Sequence, residues 1–431
     1  MKTILLFTLS IILSPIIHTQ SYTSFFTGNN SDTLSYPEGG ICMMGGASEH
    51  DEAMKWFLNR ADGGDVLVLR ASGSNGYNDY LYSQLGVAIN SVETIVFNSL
   101  SASDETYIHD KIQKAEAIWF AGGNQWNYVD YWRNSPISIL INEAVENRNI
   151  VIGGTSAGMA ILGSHYFSAE IGTVTSAQAL NNPYSNLVTV DSMEFLSLNY
   201  MENIITDTHY DDPNRKGRHV VFLSRMITDY NIDAKGIACN EYTSVCVDEN
   251  GIARVYGDYP NYPETAFFLQ TNCMLADSDP ENCSSGTSLT WNRDSSAVIV
   301  YAVNGTNNGV NTFDLNDWTT GNGGNWERWY VENGVFSSIQ GNAPSCNLSI
   351  DVADEVNLET FPNPAKTKLN IHTSKSIIEI QLLTLDGKLL QRIQNINSDE
   401  YILNLAKTST GTYILSLETS EGLSIKKIII E

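Results

Sequence analysis

Val151-Ile152-Gly153-Gly154-Thr155-Ser156-Ala157-Gly158-Met159 is the run of residues on which the fold depends. An apolar strand turns sharply here into a helix predicted over residues 157–165, with Ser156 at the turn. The glycines on either side fit the Gly-x-Ser-x-Gly pattern, in which a strained turn exposes one nucleophilic hydroxyl. The N–H of Ala157 at the start of that helix would then face an oxyanion beside Ser156. A glycine and serine turn that carries no chemistry is the alternative.

The residues before this elbow alternate between short apolar runs and helical patterns. The apolar runs are residues 39–46, 66–69, 94–97, 117–120 and 150–152, and the helical patterns between them include residues 49–59, 104–113 and 126–147. Residues 21–38 are polar and are predicted to be irregular. The alternation predicts an α/β fold with a doubly wound, mostly parallel sheet, whose functional site lies at the carboxyl ends of the strands.

A second glycine turn, residues 121–125, follows a strand and should reach the same edge of the sheet. The N–H of Gly123 is then a second candidate oxyanion donor beside that of Ala157. Gln125 could offer its amide to a substrate. A plain connecting loop is the alternative for this segment.

A serine nucleophile needs a base and a carboxylate that orients the base. Among the seven histidines, His209 is the best candidate because it follows an apolar strand, and His219 is the second choice. Glu170, which lies between the serine and His209 in the chain, is preferred over Asp207 as the orienting carboxylate. No metal or cofactor is expected, and none of the six cysteines has the spacing typical of a metal site.

Charge and the amino terminus indicate an exported protein. Residues 1–20 have the charged start, apolar core and polar end of a signal peptide, and no segment is long enough to span a membrane. The formal net charge of −25 argues against nucleic acid or anionic lipid as a partner. In an oxidising compartment Cys273 and Cys283 are the better disulfide candidates, and Cys239 and Cys246 could also pair.

The predicted organisation continues beyond the elbow domain, which spans residues 38–255. Residues 256–345 are a β-rich extension, and residues 346–360 are a polar linker. Residues 361–431 contain alternating strands and an Asp386-Gly387-Lys388 turn, which together predict a small β-sandwich.

Three motifs in order resemble the cyanophycinase and dipeptidase E family of serine peptidases: residues 117–125, 153–163 and 207–218. The resemblance covers residues 38–255 and implies a fold similar to class I glutamine amidotransferases, with serine in place of their cysteine. Asp207-Thr208-His209 is similar to the Asp-Gln-His of cyanophycinases, and Arg215 and Arg218 stand where that family has substrate-gripping arginines. Asp207 joins this substrate-binding set. Thr208 and Pro213 depart from the family pattern, which puts the substrate in question rather than the chemistry.

The carboxyl-terminal residues resemble the sorting domain of type IX secretion cargo in Bacteroidetes. The likeness rests on Phe361-Pro362-Asn363-Pro364, the Asp-Gly-Lys turn, Gly411-Thr412-Tyr413 and Lys426-Lys427. It implies export to the cell surface or medium, with the type IX machinery as a partner.

The sequence thus predicts a secreted serine peptidase that removes aspartyl, and more specifically β-aspartyl, units from the end of a peptide substrate. An exopeptidase preference is expected because a pair of arginines suits capture of a carboxylate. Pairing of both arginines with the acidic surface is the alternative. The rival functions are an α/β-hydrolase-type esterase and an inactive surface-displayed binding protein. The protein could also form a homodimer.

Overall fold

The computed structural model describes residues 20–192, 195–346, 358–384, 388–419 and 422–431. The predicted signal peptide (apart from Gln20), most of the predicted linker, and Asp386-Gly387 of the predicted turn lie outside the described residues. The chain divides into two compact units, residues 1–345 and 346–431.

The described residues of the first unit contain eighteen strands. They are β1 Tyr22–Gly28, β2 Gly40–Met44, β3 Asp65–Arg70, β4 Ser91–Phe97, β5 Ala117–Phe120, β6 Val151–Thr155, β7 Tyr166–Phe167, β8 Val190–Asp191, β9 Ile204–Asp207, β10 Lys235–Cys239, β11 Ser244–Val247, β12 Ile252–Tyr256, β13 Thr265–Thr271, β14 Val298–Asn304, β15 Asn311–Asp314, β16 Gly321–Asn322, β17 Gly324–Glu332 and β18 Val335–Gln340.

In the same described part of the chain, seven α-helices connect these strands, together with short turns of other helical types. The α-helices are α1 Asp51–Asn59, α2 Gly76–Asp79, α3 Thr106–Lys114, α4 Gln125–Trp132, α5 Pro136–Arg148, α6 Ser176–Asn181 and α7 Lys216–Tyr230. The 3-10 turns are Leu100–Asp104 and Met159–Ile161, and Tyr80–Gln84 is a π turn.

A ten-stranded sheet forms the centre, in the order β1-β4-β3-β5-β6-β2-β11-β12-β15-β16. Its five inner strands, from β4 to β2, run parallel. These strands are short apolar runs buried on both faces, as the doubly wound prediction requires. Alternate residues of β2 belong to different cores: Ile41 and Met43 pack with α3 to α5, and Cys42 and Met44 pack with α1.

Two local predictions are wrong. Residues 22–28 are an antiparallel edge strand on β4 rather than irregular chain. The single helix expected over residues 126–147 is two helices, because Asn134 adopts a left-handed φ of 59° and Ser135 and Pro136 start a new helix.

A second sheet of six strands, in the order β18-β17-β14-β13-β10-β9, packs around α7. Its β9 and β10 are parallel and are joined by α7, whereas the remaining pairs are antiparallel. Residues 256–345 therefore do not form a body of their own. Their strands complete the two sheets that begin in the preceding residues.

The second unit is one curled antiparallel sheet rather than two facing sheets. Its strands are β19 Glu359–Phe361, β20 Lys368–Thr384, β21 Leu389–Asn404, β22 Gly411–Thr419 and β23 Gly422–Ile430. The long β20 changes register at several bulges and pairs with both β21 and β22. Bulges bend a strand, so the one sheet curls and buries the cluster that includes Leu369, Leu382 and Leu415.

Glu116, just before β5, gives this fold a testable pH dependence. Its side chain is buried, its Oε2 accepts the Asp65 N–H at 2.7 Å, and burial raises its pKa to about 7. When an acidic group has a higher pKa in the folded than in the unfolded state, the folded protein loses stability as the pH rises from about 4.5 to 7. The free energy of unfolding of Glu116→Gln, relative to the wild type, should therefore rise by about 1 to 3 kcal/mol across this range. Urea titrations at several pH values measure it, and a difference that stays constant with pH would contradict the assignment.

Candidate active site

The elbow at Ser156 is present and is strained. Ser156 follows β6 with a φ of 52°, a left-handed conformation that is rare for a residue with a side chain. A Cβ on Gly158 would lie 2.1 Å from the Phe120 carbonyl oxygen, so only glycine permits this approach. The helix predicted over residues 157–165 is only the 3-10 turn Met159–Ile161. The turn is tight because the Gly158 N–H already bonds the Thr155 carbonyl.

Ser156 and His209 are brought together. The Ser156 Oγ lies 2.8 Å from the His209 Nε2. His209 follows β9, has a φ of 45°, and donates its backbone N–H to the Gly45 carbonyl at 2.8 Å. The Ser156 N–H bonds the neighbouring Met44 carbonyl at 3.0 Å, so the end of β2 supports both residues.

Glu241, not Glu170, contacts the other ring nitrogen of the histidine. The Glu241 Oε1 lies 2.6 Å from the His209 Nδ1. Glu241 lies just past β10, and β10 is the parallel neighbour of β9, so the carboxyl ends of these strands place the two side chains together. Glu170 lies in the loop between β7 and α6. It lines the same cleft, but its side chain makes no hydrogen bond or ion pair within the described residues.

The loop that carries Glu241 is itself fixed. The Glu241 N–H bonds the Asp211 carboxylate at 3.0 Å, and the Tyr242 N–H bonds the Gly46 carbonyl at 3.1 Å. The Gly45 N–H in turn bonds the Thr243 carbonyl at 2.9 Å. Glu241 comes shortly after a strand, as Glu170 does, so no local sequence signal distinguishes the two carboxylates.

The two residues predicted to supply oxyanion donors, Gly123 and Ala157, line the same cleft as Ser156. The turn after β5 approaches the elbow so closely that a Cβ on Gly122 would be 3.7 Å from the Ser156 Cβ. Across the described part of the chain, neither the Gly123 N–H nor the Ala157 N–H has a protein acceptor. Both donors are therefore free for a developing negative charge.

Asp207 and Arg218 satisfy each other. The Arg218 Nε and Nη2 lie 2.9 and 2.5 Å from the two carboxylate oxygens of Asp207, and Arg218 is 3% exposed. Burial opposes ionisation of Asp207, but the guanidinium outweighs it and holds the carboxyl pKa below its usual value. Arg218 also donates to the Val174 carbonyl at 3.1 Å and to Thr173 Oγ1 at 3.2 Å. Arg218 lines the cleft while it is paired with Asp207, and a substrate contact of either side chain stays a prediction.

Arg215 is the cation that stays available. Its Nη1 donates to the Thr208 carbonyl at 2.9 Å, while its buried Nε has no protein partner in the described structure. Burial and the neighbouring Arg218 lower the pKa of Arg215, but an arginine remains charged. Gln125, at the start of α4, also faces the cleft and lies 3.4 Å from the Phe167 carbonyl.

These groups share one cleft of about 520 Å³. It is lined by residues from the elbow, the glycine turn and the two loops beyond them: Gly123, Asn124, Gln125, Ser156, Ala157, Phe167, Ala169, Glu170, Ile171, Gly172, Thr173, Thr208, His209, Arg215 and Arg218. The size and the mixed lining suit a short peptide.

His219, the second choice for the base, is structural. It is fully buried in α7, between the Tyr210 hydroxyl at 3.2 Å and the Ile205 carbonyl at 3.3 Å. Burial lowers its pKa to about 4, so the ring is neutral.

Two structural features are absent from the described residues. No group of histidine, cysteine or acidic side chains there is arranged to hold a metal ion. No helix there is both long and apolar enough to cross a bilayer.

The cysteines differ from the predicted pairing. Cys273 and Cys346 are disulfide-bonded, whereas Cys283, Cys239 and Cys246 are free. The pair Cys273–Cys283 is therefore wrong, and so is Cys239–Cys246, because those residues lie in strands of different sheets.

Family comparisons cover both units. Residues 74–255 match the model of peptidase family S51, and residues 359–431 match the model of the secretion system C-terminal sorting domain. Cyanophycinases are among the similar curated proteins. That of Trichormus variabilis is 19% identical over 227 residues, covering 50% of this chain and 70% of the relative. That of Geminocystis herdmanii is 22% identical over 232 residues, covering 52% and 79%.

Similar solved structures include a peptidase from an acI-B1 Actinobacterium. The two chains are 15% identical with a TM-score of 0.39, and the match covers 54% of this chain and 95% of the other. A putative peptidase E from Listeria monocytogenes EGD-e gives 15% identity and a TM-score of 0.32, covering 51% and 98%. Scores at this level are too low to support an argument about activity.

Proposed function

We propose that this chain, whose residues 74–255 match the model of peptidase family S51 and whose residues 359–431 match the model of the secretion system C-terminal sorting domain, is a serine-type peptidase. The observation that carries the proposal is the continuous contact from Ser156 through His209 to Glu241. A serine hydroxyl, an imidazole and a carboxylate in this order are the groups that acyl transfer needs.

The geometry supports a two-step hydrolysis. His209 Nε2 takes the Ser156 proton as Oγ attacks the scissile carbonyl, and Glu241 stabilises the imidazolium that forms. The N–H groups of Gly123 and Ala157 hold the oxyanion. His209 then gives its proton to the leaving amine, and water, activated by the same ring, releases the acyl group from Ser156.

Arg215 supports a preference for substrates that bear a carboxylate. Its guanidinium lies in the same cleft as Ser156 and has an unpaired, buried donor. A fixed cation binds a carboxylate at a set distance from the nucleophile. We therefore expect cleavage near a chain end or beside an aspartyl carboxylate. The similar proteins are named cyanophycinases, and for this chain we propose aspartyl, more specifically β-aspartyl, peptides as substrates. Gln125 completes this proposed substrate site.

The rival α/β-hydrolase function fits less well. In that fold the acid precedes the histidine in the chain, whereas Glu241 follows His209 by 32 residues.

Replacing Arg215 tests the substrate proposal. Arg215→Ala should raise KM for a β-aspartyl dipeptide by about 10- to 100-fold, because a charge-assisted pair contributes about 1.5 to 3 kcal/mol. For the same peptide with its carboxylates amidated, Arg215→Ala should change KM little. Kinetics of wild type, Arg215→Ala and Arg215→Lys on both peptides measure the effect.

Lys114→Ala is the matched charge control, since Lys114 pairs with Asp110 on an exposed helix face. If Arg215→Ala raised KM equally for the free and the amidated peptide, Arg215 would not bind the substrate carboxylate. Arg218→Ala is a poor substitute, because it leaves the buried Asp207 carboxylate unpaired and should destabilise the fold.

A further inference from the structure

Two buried thiols lie side by side beneath the proposed active site. Cys42 in β2 faces Cys246 in β11, and both are fully buried. Their sulfur atoms are 3.6 Å apart and both are thiols in the structure. The mechanism uses neither of them.

The register of the two strands favours a bond between them. β2 and β11 are antiparallel, and the Gly45 N–H bonds the Thr243 carbonyl, which makes that pair hydrogen-bonded. Hydrogen-bonded and non-hydrogen-bonded pairs alternate along an antiparallel ladder. Cys42 and Cys246 are three positions further on and are therefore a non-hydrogen-bonded pair, in which the Cα atoms are about 4.5 Å apart. That spacing lies within the range of about 4.4 to 6.8 Å that a disulfide spans.

We propose that Cys42 and Cys246 form a disulfide in the exported protein. The two thiols lose two electrons and two protons, and these reduce the disulfide of an envelope thiol oxidoreductase to a dithiol. The sorting domain sends the chain through an oxidising compartment, and Cys273 and Cys346 are already disulfide-bonded. Because burial raises the pKa of the Cys246 thiol, exchange takes place before the core closes.

The bond would link β2 and β11, the two strands next to the residues of the proposed active site. The end of β2 accepts the Ser156 and His209 N–H groups, and β11 follows the loop that carries Glu241. A covalent link between β2 and β11 fixes their register three residues from the Gly45–Thr243 contact. It therefore stabilises the spacing between the serine and histidine on one side and the glutamate on the other.

Peptide mapping of the full chain, purified from an exporting host, tests the pairing directly. Free thiols are alkylated in denaturant without reductant. Trypsin alone leaves Cys239 and Cys246 on one peptide, residues 236–254, so a cut after Glu241 is added to separate them. We expect the Cys42 peptide to be linked to the Cys246 peptide, with Cys239 and Cys283 alkylated. Quantitative alkylation of Cys42 and Cys246, or a link from either one to Cys239, would overturn the proposal.

Thermal stability gives an independent measure. Cys42→Ala and Cys246→Ala should each lower Tm by about 5 °C or more, and the double variant should lower it no further, because each single change already removes the whole link. Cys283→Ala is the control and should change Tm little, since Cys283 is a free, half-buried thiol. Additive losses in the double variant would contradict a shared bond. Reductant alone is not a substitute, because Cys273 and Cys346 would respond as well.

Discussion

Ser156→Ala should lower kcat/KM for peptide hydrolysis by about 10³-fold or more, since no other group can form the acyl intermediate. The change removes one oxygen at a cleft surface, so the folded state should persist, with Tm close to that of the wild type. Initial rates at matched protein concentration measure the effect. Ser164→Ala is the control, because among the described residues the hydrogen-bond partner of the Ser164 Oγ is its neighbour His165, at 3.2 Å.

A fluorophosphonate probe separates an active enzyme from an inactive relative that only binds peptides. Such a probe reacts only with an activated serine, and the 2.8 Å contact with His209 provides that activation. Wild type and Ser164→Ala should be labelled, and Ser156→Ala should not. Hydrolysis that survives in Ser156→Ala, or a wild type that resists labelling, would refute the proposed nucleophile.

Ser156 could be predicted because an elbow is a local pattern. Close approach demands glycine at positions 154 and 158, and the apolar strand before them can be recognised in the same short window. His209 could be predicted for a related reason, because it directly follows an apolar strand. Neither inference required knowledge of which strands are neighbours.

Glu241 could not be found in this way because its role depends on strand order. It reaches His209 only because β10 lies beside β9, and α7 separates the two strands in the chain. Nothing in the residues around Glu241 distinguishes it from Glu170, which also follows a short strand. The sharing of residues 256–345 between two sheets depends on the same long-range pairing.

The substrate-binding role of Asp207, Arg215 and Arg218 stays a prediction, but the structure gives the two arginines different partners. Arg215 and Arg218 both reach the cleft, as their spacing after His209 indicated. Burial decides between them, because a buried Asp207 must be paired and Arg218 is the cation within reach.

Glu241→Gln should lower kcat by about 10² to 10⁴-fold, with a smaller change in KM. The amide keeps the size of the side chain but has no charge to stabilise the imidazolium, and it can hold the ring in the wrong tautomer. Steady-state kinetics across pH measure this. The loss should persist at saturating substrate, because the contact strengthens only in the transition state.

Glu170→Gln is the matched control for Glu241→Gln, since both changes remove one carboxylate charge: Glu170 lines the cleft, and Glu241 contacts His209, which also lines it. Glu170 has no protein partner in the described residues and does not touch His209. Its loss should therefore leave kcat within about threefold of the wild type, because only a group that acts on the imidazole changes the proton transfer. If Glu170→Gln lost more kcat than Glu241→Gln, the carboxylate between Ser156 and His209 in the chain would be the orienting acid after all. If Glu241→Gln lost more kcat than Glu170→Gln, the orienting acid would be Glu241, which the order of strands in the sheet brings to the His209 ring.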